Sequence, residues 1–254
     1  MSDVFLLYES QMRLIETFFP LAHGVPRVDD RPVLSGIVYV IHNGLQWKDA
    51  PTAYGLHKTL CNRFIRWGRR GVFDRIFVAL TEQAGRSKRL MIDATHLKAH
   101  RTSVSLLKKG LSPRHIGRTK GGLNLKLHAM CDDQGRPVRL HLTAGQVSDF
   151  KGADVLLADL SNETEDVIGD RRYDSNTIRQ SLADRNITPC IPPKKNRKSK
   201  PPYNWHLYKK RHLIENMFAK LKDWRRVATR YDRCAHTFMS AIQIAASFIF
   251  YPKE

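Results

Sequence analysis

The chain has 254 residues, 42% hydrophobic and 26% charged, which is enough apolar material for a sizeable core and excludes a disordered protein. Its formal charge of +19 and pI near 10.1 point to a polyanionic partner. Four scattered cysteines without a Cys-x-x-Cys pair suggest a reducing cytosol and no zinc site, and the longest apolar stretch, 241–251, is too short to span a bilayer.

Residues 1–85 read as helical. "VFLLYESQMRLIETFF" has helical apolar spacing and stops at Pro20. Asp29 or Asp30 caps a second helix with Pro32 in its first turn and "VLSGIVYVIHNGL" as its body. "WKDAPTAYG" is a turn, and "LHKTLCNRFIRWGRRG" is a basic helix ending at Gly71. Helix, Gly-containing turn and basic helix suggest a helix-turn-helix-like domain, with Lys58, Arg63, Arg66, Arg69 and Arg70 as DNA contacts.

From residue 89 the pattern changes. "RLMIDATHLKAH" is a short strand with an aspartate at its centre, followed by a loop containing Gly110, Pro113 and "GRTKGG". "LNLKLHAMCDDQGRPVRLHLTAG" gives two strands around a turn at "DDQG", with Asp132 and Asp133 as turn formers. "DFKGADVLLADL" is an amphipathic helix, "EDVIGDRRYDSN" a strand with a polar end, and "SNTIRQSLADRN" a helix capped by Ser175 or Asn176. "ITPCIPP" adds a short strand, and 194–205 form a basic, Pro-containing linker expected to be mobile. The helix at 208–222, "YKKRHLIENMFAKLK", puts Tyr208, Arg211, Glu215 and Lys222 beside an apolar stripe of Leu207, Ile214, Phe218 and Leu221. A buried helix, "FMSAIQIAASFIFY", follows. The order of elements implies an α/β class with a mixed central sheet flanked by helices, preceded by an all-α domain.

Charge is distributed unevenly along these elements. Residues 191–233 carry a net +11 and residues 89–120 a net +7. One such run is more often a solvated surface; two that hold nearly all the excess favour a nucleic-acid groove. Asp93 and Asp170 each follow an apolar run, where a charge is costly without a partner. A single aspartate there commonly caps a turn. Two of them, with Glu215 on a later helix, supply the oxygen ligands that a pair of Mg²⁺ ions needs for phosphodiester displacement. Asp174 reads as a helix cap, and His96 and His100 lack further ligands nearby.

"GLQWKDAPTAYGLHKTLCNRFIRWGRRGVFD", "MIDATHLKAH", "GRTKGGLNLKLH", "LTAGQVSD" and "VIGDRRYDSNTIR" together resemble the DDE transposases of bacterial insertion sequences, of the IS-five type. "YKKRHLIENMFAKLK" fits the family's Tyr-x2-Arg-x3-Glu-x6-Lys signature at every position. The resemblance implies a ribonuclease-H-like catalytic domain over 86–254, a DNA-end-binding domain over 1–85, and catalytic, metal-holding Asp93, Asp170 and Glu215. It implies Tyr208, Arg211 and Lys222 on DNA, and Mg²⁺ as cofactor, two ions, with Mn²⁺ able to substitute. It further implies double-stranded DNA partners (terminal inverted repeats and target), a homodimer or larger synaptic complex, no membrane, and a cytoplasmic, nucleoid-associated location. At Arg172 the family commonly has Gly, which tolerates positive φ where Arg does so poorly, so this chain departs from the family pattern in the loop after Asp170. The competing readings are a nuclease that only hydrolyses and a non-catalytic DNA-binding derivative.

Overall fold

The computed structural model describes residues 5–21, 28–105 and 115–251. The loop expected around Gly110 and Pro113 lies outside the described residues. Two compact units emerge: one from the described residues of 1–83, 100–114 and 221–254, the other from 84–99 and 115–220. The expected division at 85/86 left residues 221–254 with the catalytic half, whereas their packing puts them in the helical unit.

The helical unit contains α1 (Glu9–Ile15), α2 (Asp30–Asn43), α3 (His57–Arg69) and α4 (Val72–Gln83). Asp29 caps α2 by accepting from the Arg31 N–H at 3.0 Å, and Gly44, at φ 68°, ends it in the left-handed region. The connection to α3 holds two 3₁₀ turns, Trp47–Asp49 and Thr52–Tyr54, where the sequence suggested one compact turn. The tight link falls instead at Arg70–Gly71, between α3 and an α4 that the sequence reading did not separate. α3 buries Leu60, Phe64 and Trp67 at helical spacing. Later in the chain come α9 (Arg225–Ala228) and α10 (Ala235–Phe250). α10 packs against α2, α3 and α4, which explains why it is apolar nearly all round. Its Gln243 amide donates to Asp74 Oδ1 at 2.6 Å.

The other unit is built on a mixed sheet of β1 (Arg89–Ala99), β2 (Gly117–Thr119), β3 (Gly122–Cys131), β4 (Pro137–Ala144), β5 (Asp166–Gly169) and β6 (Thr188–Cys190). β3 lies antiparallel to β1 on one side and to β4 and β2 on the other. β5 runs parallel to β1, and β6 parallel to β5. Helices α5 (Asp149–Leu157) and α6 (Asn176–Ala183) cover an apolar cluster that includes Leu90, Ile92, Met130, Leu156, Val167 and Leu182. Burying those side chains from both strand and helix is what fixes the layer arrangement.

The segment expected as one helix at 208–222 is divided. α7 (Trp205–Tyr208) is followed by a 3₁₀ turn, Lys209–Arg211, and then by α8 (His212–Asp223). Ile214, Met217, Phe218 and Leu221 are buried, but Leu207, which falls before the 3₁₀ turn, is only half-buried. The basic linker is also less free than expected, because the buried Asp174 carboxylate accepts from the Lys194 N–H at 2.8 Å and pairs with Arg197 at 3.1 Å.

Candidate active site

The parallel pairing of β1 with β5 sets Ile92 opposite Gly169. The next residue along each chain segment is an aspartate, so Asp93, still within β1, and Asp170, just past the end of β5, lie side by side. Ladder and strand direction alone bring together two carboxylates distant in sequence. Asp93 is not at a strand end, since β1 continues against β3 as far as Lys98. It lies where the parallel pairing stops and the antiparallel pairing goes on.

Asp93 is largely buried, and burial raises its carboxyl above the usual range. The neighbouring Asp170 pushes the same way, while the Ala94 N–H at 2.8 Å and Arg211 oppose. Arg211 spans two acids: Nη1 is 2.5 Å from Asp93 Oδ2, and Nη2 is 2.5 Å from Glu215 Oε1. Glu215 therefore approaches Asp93 through a guanidinium and not directly. Its side chain is 55% exposed, so it faces the solvent side of the site. Among the described residues no three acids, histidines or cysteines stand ready to share one ion. The donor set is nonetheless all carboxylate oxygen, which suits a hard cation, and each acid already faces a positive group.

Arg172 supplies the second guanidinium. Its backbone N–H donates to Asp170 Oδ1 at 2.8 Å, and its Nε to Oδ2 at 3.0 Å. Its Nη1 reaches Asp149 Oδ2 at 3.4 Å. The backbone at Arg172 does not call for glycine: the positive-φ non-glycines among the described residues are His115 and Asn186. Asp170 caps a 3₁₀ turn, Arg171–Tyr173, whose backbone suits any residue.

Asp149 extends the acidic group in a way the sequence reading missed. At the start of α5 it takes Lys126 Nζ at 2.8 Å, and Lys126 also donates to the Val147 carbonyl at 2.7 Å. Lys126 is buried, in the middle of a strand whose inner residues are apolar apart from Asn124 and His128. That one cation inside "LNLKLHAMC" was the available signal, because a lysine there needs a buried partner. Next to it His128 is fully buried, with Nε2 2.8 Å from Thr143 Oγ1. Burial holds its pKa down at about 4.

The remaining candidates sort by their contacts. Asp132 is the turn former expected, accepting from the Gln134 and Arg136 N–H groups at 3.0 and 2.8 Å. Ser175 caps α6 by accepting from the Ile178 N–H, which leaves Asp174 as the anchor of the linker and not a cap. His96 faces the Gly145 carbonyl at 3.1 Å. Of the basic residues on α3, Lys58, Arg66, Arg69 and Arg70 are exposed. Arg63 is not a surface contact: its side chain is 11% exposed, pairs with Asp30 at 3.0 Å and lies over the Trp67 ring. Lys222 sits in the last turn of α8, where burial lowers its pKa.

Comparison with known proteins gives a consistent set of likenesses. Residues 85–249 match the family described as "Transposase DDE domain", and residues 7–77 match "Putative transposase of IS4/5 family". The chain is 37% identical over 128 residues to a protein of Brucella ovis named "Putative transposase for insertion sequence element IS6501", covering 50% of this chain and 98% of that one. It is 31% identical over 91 residues to "Uncharacterized protein y4sN" of Sinorhizobium fredii, covering 35% of this chain and 72% of that one. Among solved structures it resembles a piggyBac transposase synaptic complex with hairpin DNA, with a TM-score of 0.51 at 12% identity. That likeness covers 87% of this chain and spans 63% of the piggyBac chain, and at such identity it speaks for the fold alone.

Proposed function

Since the chain belongs to the transposase DDE domain family, we propose that it cuts DNA at the ends of an insertion sequence and joins the freed ends to target DNA. In the first step water attacks a phosphodiester and leaves a 3′-OH; in the second that 3′-OH attacks a target phosphodiester and displaces another 3′-oxygen. The observation that carries this reading is the emergence of Asp93 and Asp170 from neighbouring parallel strands, with Glu215 tied to Asp93 by Arg211. Those three carboxylates are the residues that would hold divalent cations, Mg²⁺ or Mn²⁺. Such ions supply Lewis-acid stabilisation of the attacking and leaving oxygens.

The chain's own groups have distinct tasks. Arg211 holds Asp93 and Glu215 in register and offers its guanidinium to the strand being cut. Lys126 and Arg172 fix Asp149 and Asp170 from either side. Tyr208 and Lys222 flank Arg211 and Glu215 along the same stretch of chain, where they suit contacts to phosphate. Exposed Lys58, Arg66, Arg69 and Arg70 on α3 suit recognition of the element's terminal repeats. The sheet order, with antiparallel β1, β2, β3 and β4 continued by parallel β5 and β6, supports a ribonuclease-H-like catalytic core. Assembly of two or more copies around paired ends belongs to the same proposal.

The test is an incubation of labelled linear DNA carrying a candidate end with Mg²⁺. Joined products support transposition. Nicks alone would leave a nuclease, and a shifted band alone a DNA-binding derivative.

A further inference from the structure

Three aromatic rings cluster on α7 and just before it, and of these only Tyr208 has a part in the chemistry above. Trp205 and Tyr208 lie one helical turn apart with their rings stacked, centroids 5.8 Å apart and planes at 27°. Tyr203 meets both edge-on, at 6.4 Å from Trp205 and 5.7 Å from Tyr208. Despite these neighbours Trp205 remains 53% exposed. Asn204 caps α7 by accepting from the Leu207 N–H at 3.0 Å, which fixes the turn that carries the rings.

The chain that carries these rings is strongly positive. Residues 185–214 hold nine Lys and Arg and no Asp or Glu. Lys209 Nζ lies 5.9 Å from the Trp205 ring centroid. Tyr203 also lines a cleft of about 560 Å³ together with His206, Lys210 and Arg89, the last paired with Asp166 at 3.1 Å on the same wall. A half-exposed indole held by a stacked tyrosine and an edge-on one, with a lysine beside the ring, suits a ligand that is both aromatic and anionic. An acidic peptide would satisfy the charges only. Duplex DNA would satisfy them too, but its base faces are stacked inside the helix. A strand with unpaired bases offers a base for the indole and a phosphate for each cation.

We propose that Trp205, backed by Tyr203 and Tyr208, is a stacking platform for an unpaired base. The phosphates of that strand would run along Lys209, Lys210 and the basic segment 194–200. The assignment rests on the DNA-processing reading and adds a class of ligand to it, single-stranded DNA beside the cutting site. The place fits the task, because Tyr208 precedes Arg211 by one turn and Arg211 touches the carboxylates.

The full-length protein is titrated with a labelled oligo-dT strand and with a duplex of the same length, over a range of salt. Trp205→Ala should weaken strand binding roughly fivefold to a hundredfold, the range seen when one stacked base is lost, and should weaken duplex binding less. The salt slope should stay as it was, because no charge is removed. Trp205→Phe should keep most of the affinity. Lys209→Ala should instead lower the slope by roughly 0.7. Equal strand affinity for wild type and Trp205→Ala, with duplex binding intact, overturns the platform alone. So does a loss as large for duplex as for strand, or a changed number of subunits on sedimentation, which would give this face to a second copy. A wild-type protein that binds neither probe overturns the platform and the DNA-processing reading together.

Discussion

Arg211 is shared between a buried and an exposed carboxylate, and the two partners report on different things. Glu215→Gln keeps the shape and removes one charge; cleavage should be lost while DNA binding stays or strengthens slightly, read by nicking and gel shift on one preparation. If Glu215 were only the exposed half of an i,i+4 pair, the same change would cost about 0.3–0.5 kcal/mol and leave cleavage untouched. Arg211→Ala should lower the salt slope of duplex binding by roughly one, and Lys222→Ala by less, since burial already restrains that lysine. His128 provides a separate readout in pH. Its folded pKa of about 4 is below the ordinary value of 6.5, so between those values the unfolded chain binds the extra proton. Stability should therefore be complete above pH 6.5 and decline toward pH 4, by on the order of 2–3 kcal/mol. Lys126, Asp149, His96 and His141 surround it and modulate the window. His128→Gln, compared by urea unfolding at both ends of that range, should remove this part of the slope.

α5 rests on β3 through a contact that only glycine permits. A Cβ at Gly152 would stand 2.1 Å from His128 Nδ1. Gly152→Ala should therefore destabilise by about 1–3 kcal/mol, and His128→Ala in the same chain should restore part of the loss, as a double-mutant cycle in thermal melts would show. Additive effects would mean the helix avoids the ring by another route. The same pair of elements shows what the sequence made readable. Alternating and apolar runs disclosed β1, β3, β4 and β5, and Ser175 was read as a possible start of α6, because period and capping are local properties. The nearness of Asp93 and Asp170 is not local. It follows from parallel register, and the sequence suggested it only through the chemistry that three carboxylates could share and through the family resemblance. The partner of Lys126, Asp149, is likewise distant in sequence, and the extra turns between α2 and α3 lie in a stretch with no periodic pattern. The 3₁₀ break before α8 falls on Lys209, Lys210 and Arg211, residues with no helix-breaking signal.

The two compact units do not divide the chain into a front and a back. The helical unit takes its first residues from 1–83 and its last from 221–254, and the sheet unit is placed between them in sequence. α10 is buried nearly all round against α2, α3 and α4, so removing residues 1–83 would strip it bare. A fragment starting at residue 84 should be insoluble or aggregate, with the apolar face of α10 binding a hydrophobic dye; a soluble, cooperatively melting fragment would contradict this packing. Synthesis on the ribosome adds a consequence in time. α2, α3 and α4 emerge early but wait for α10 while residues 84–234 are made, roughly 8–30 s at 5–20 residues per second. Through that interval the early helices have their buried faces open, so a chain released before residue 221 holds half a core and becomes a substrate for chaperones and proteases.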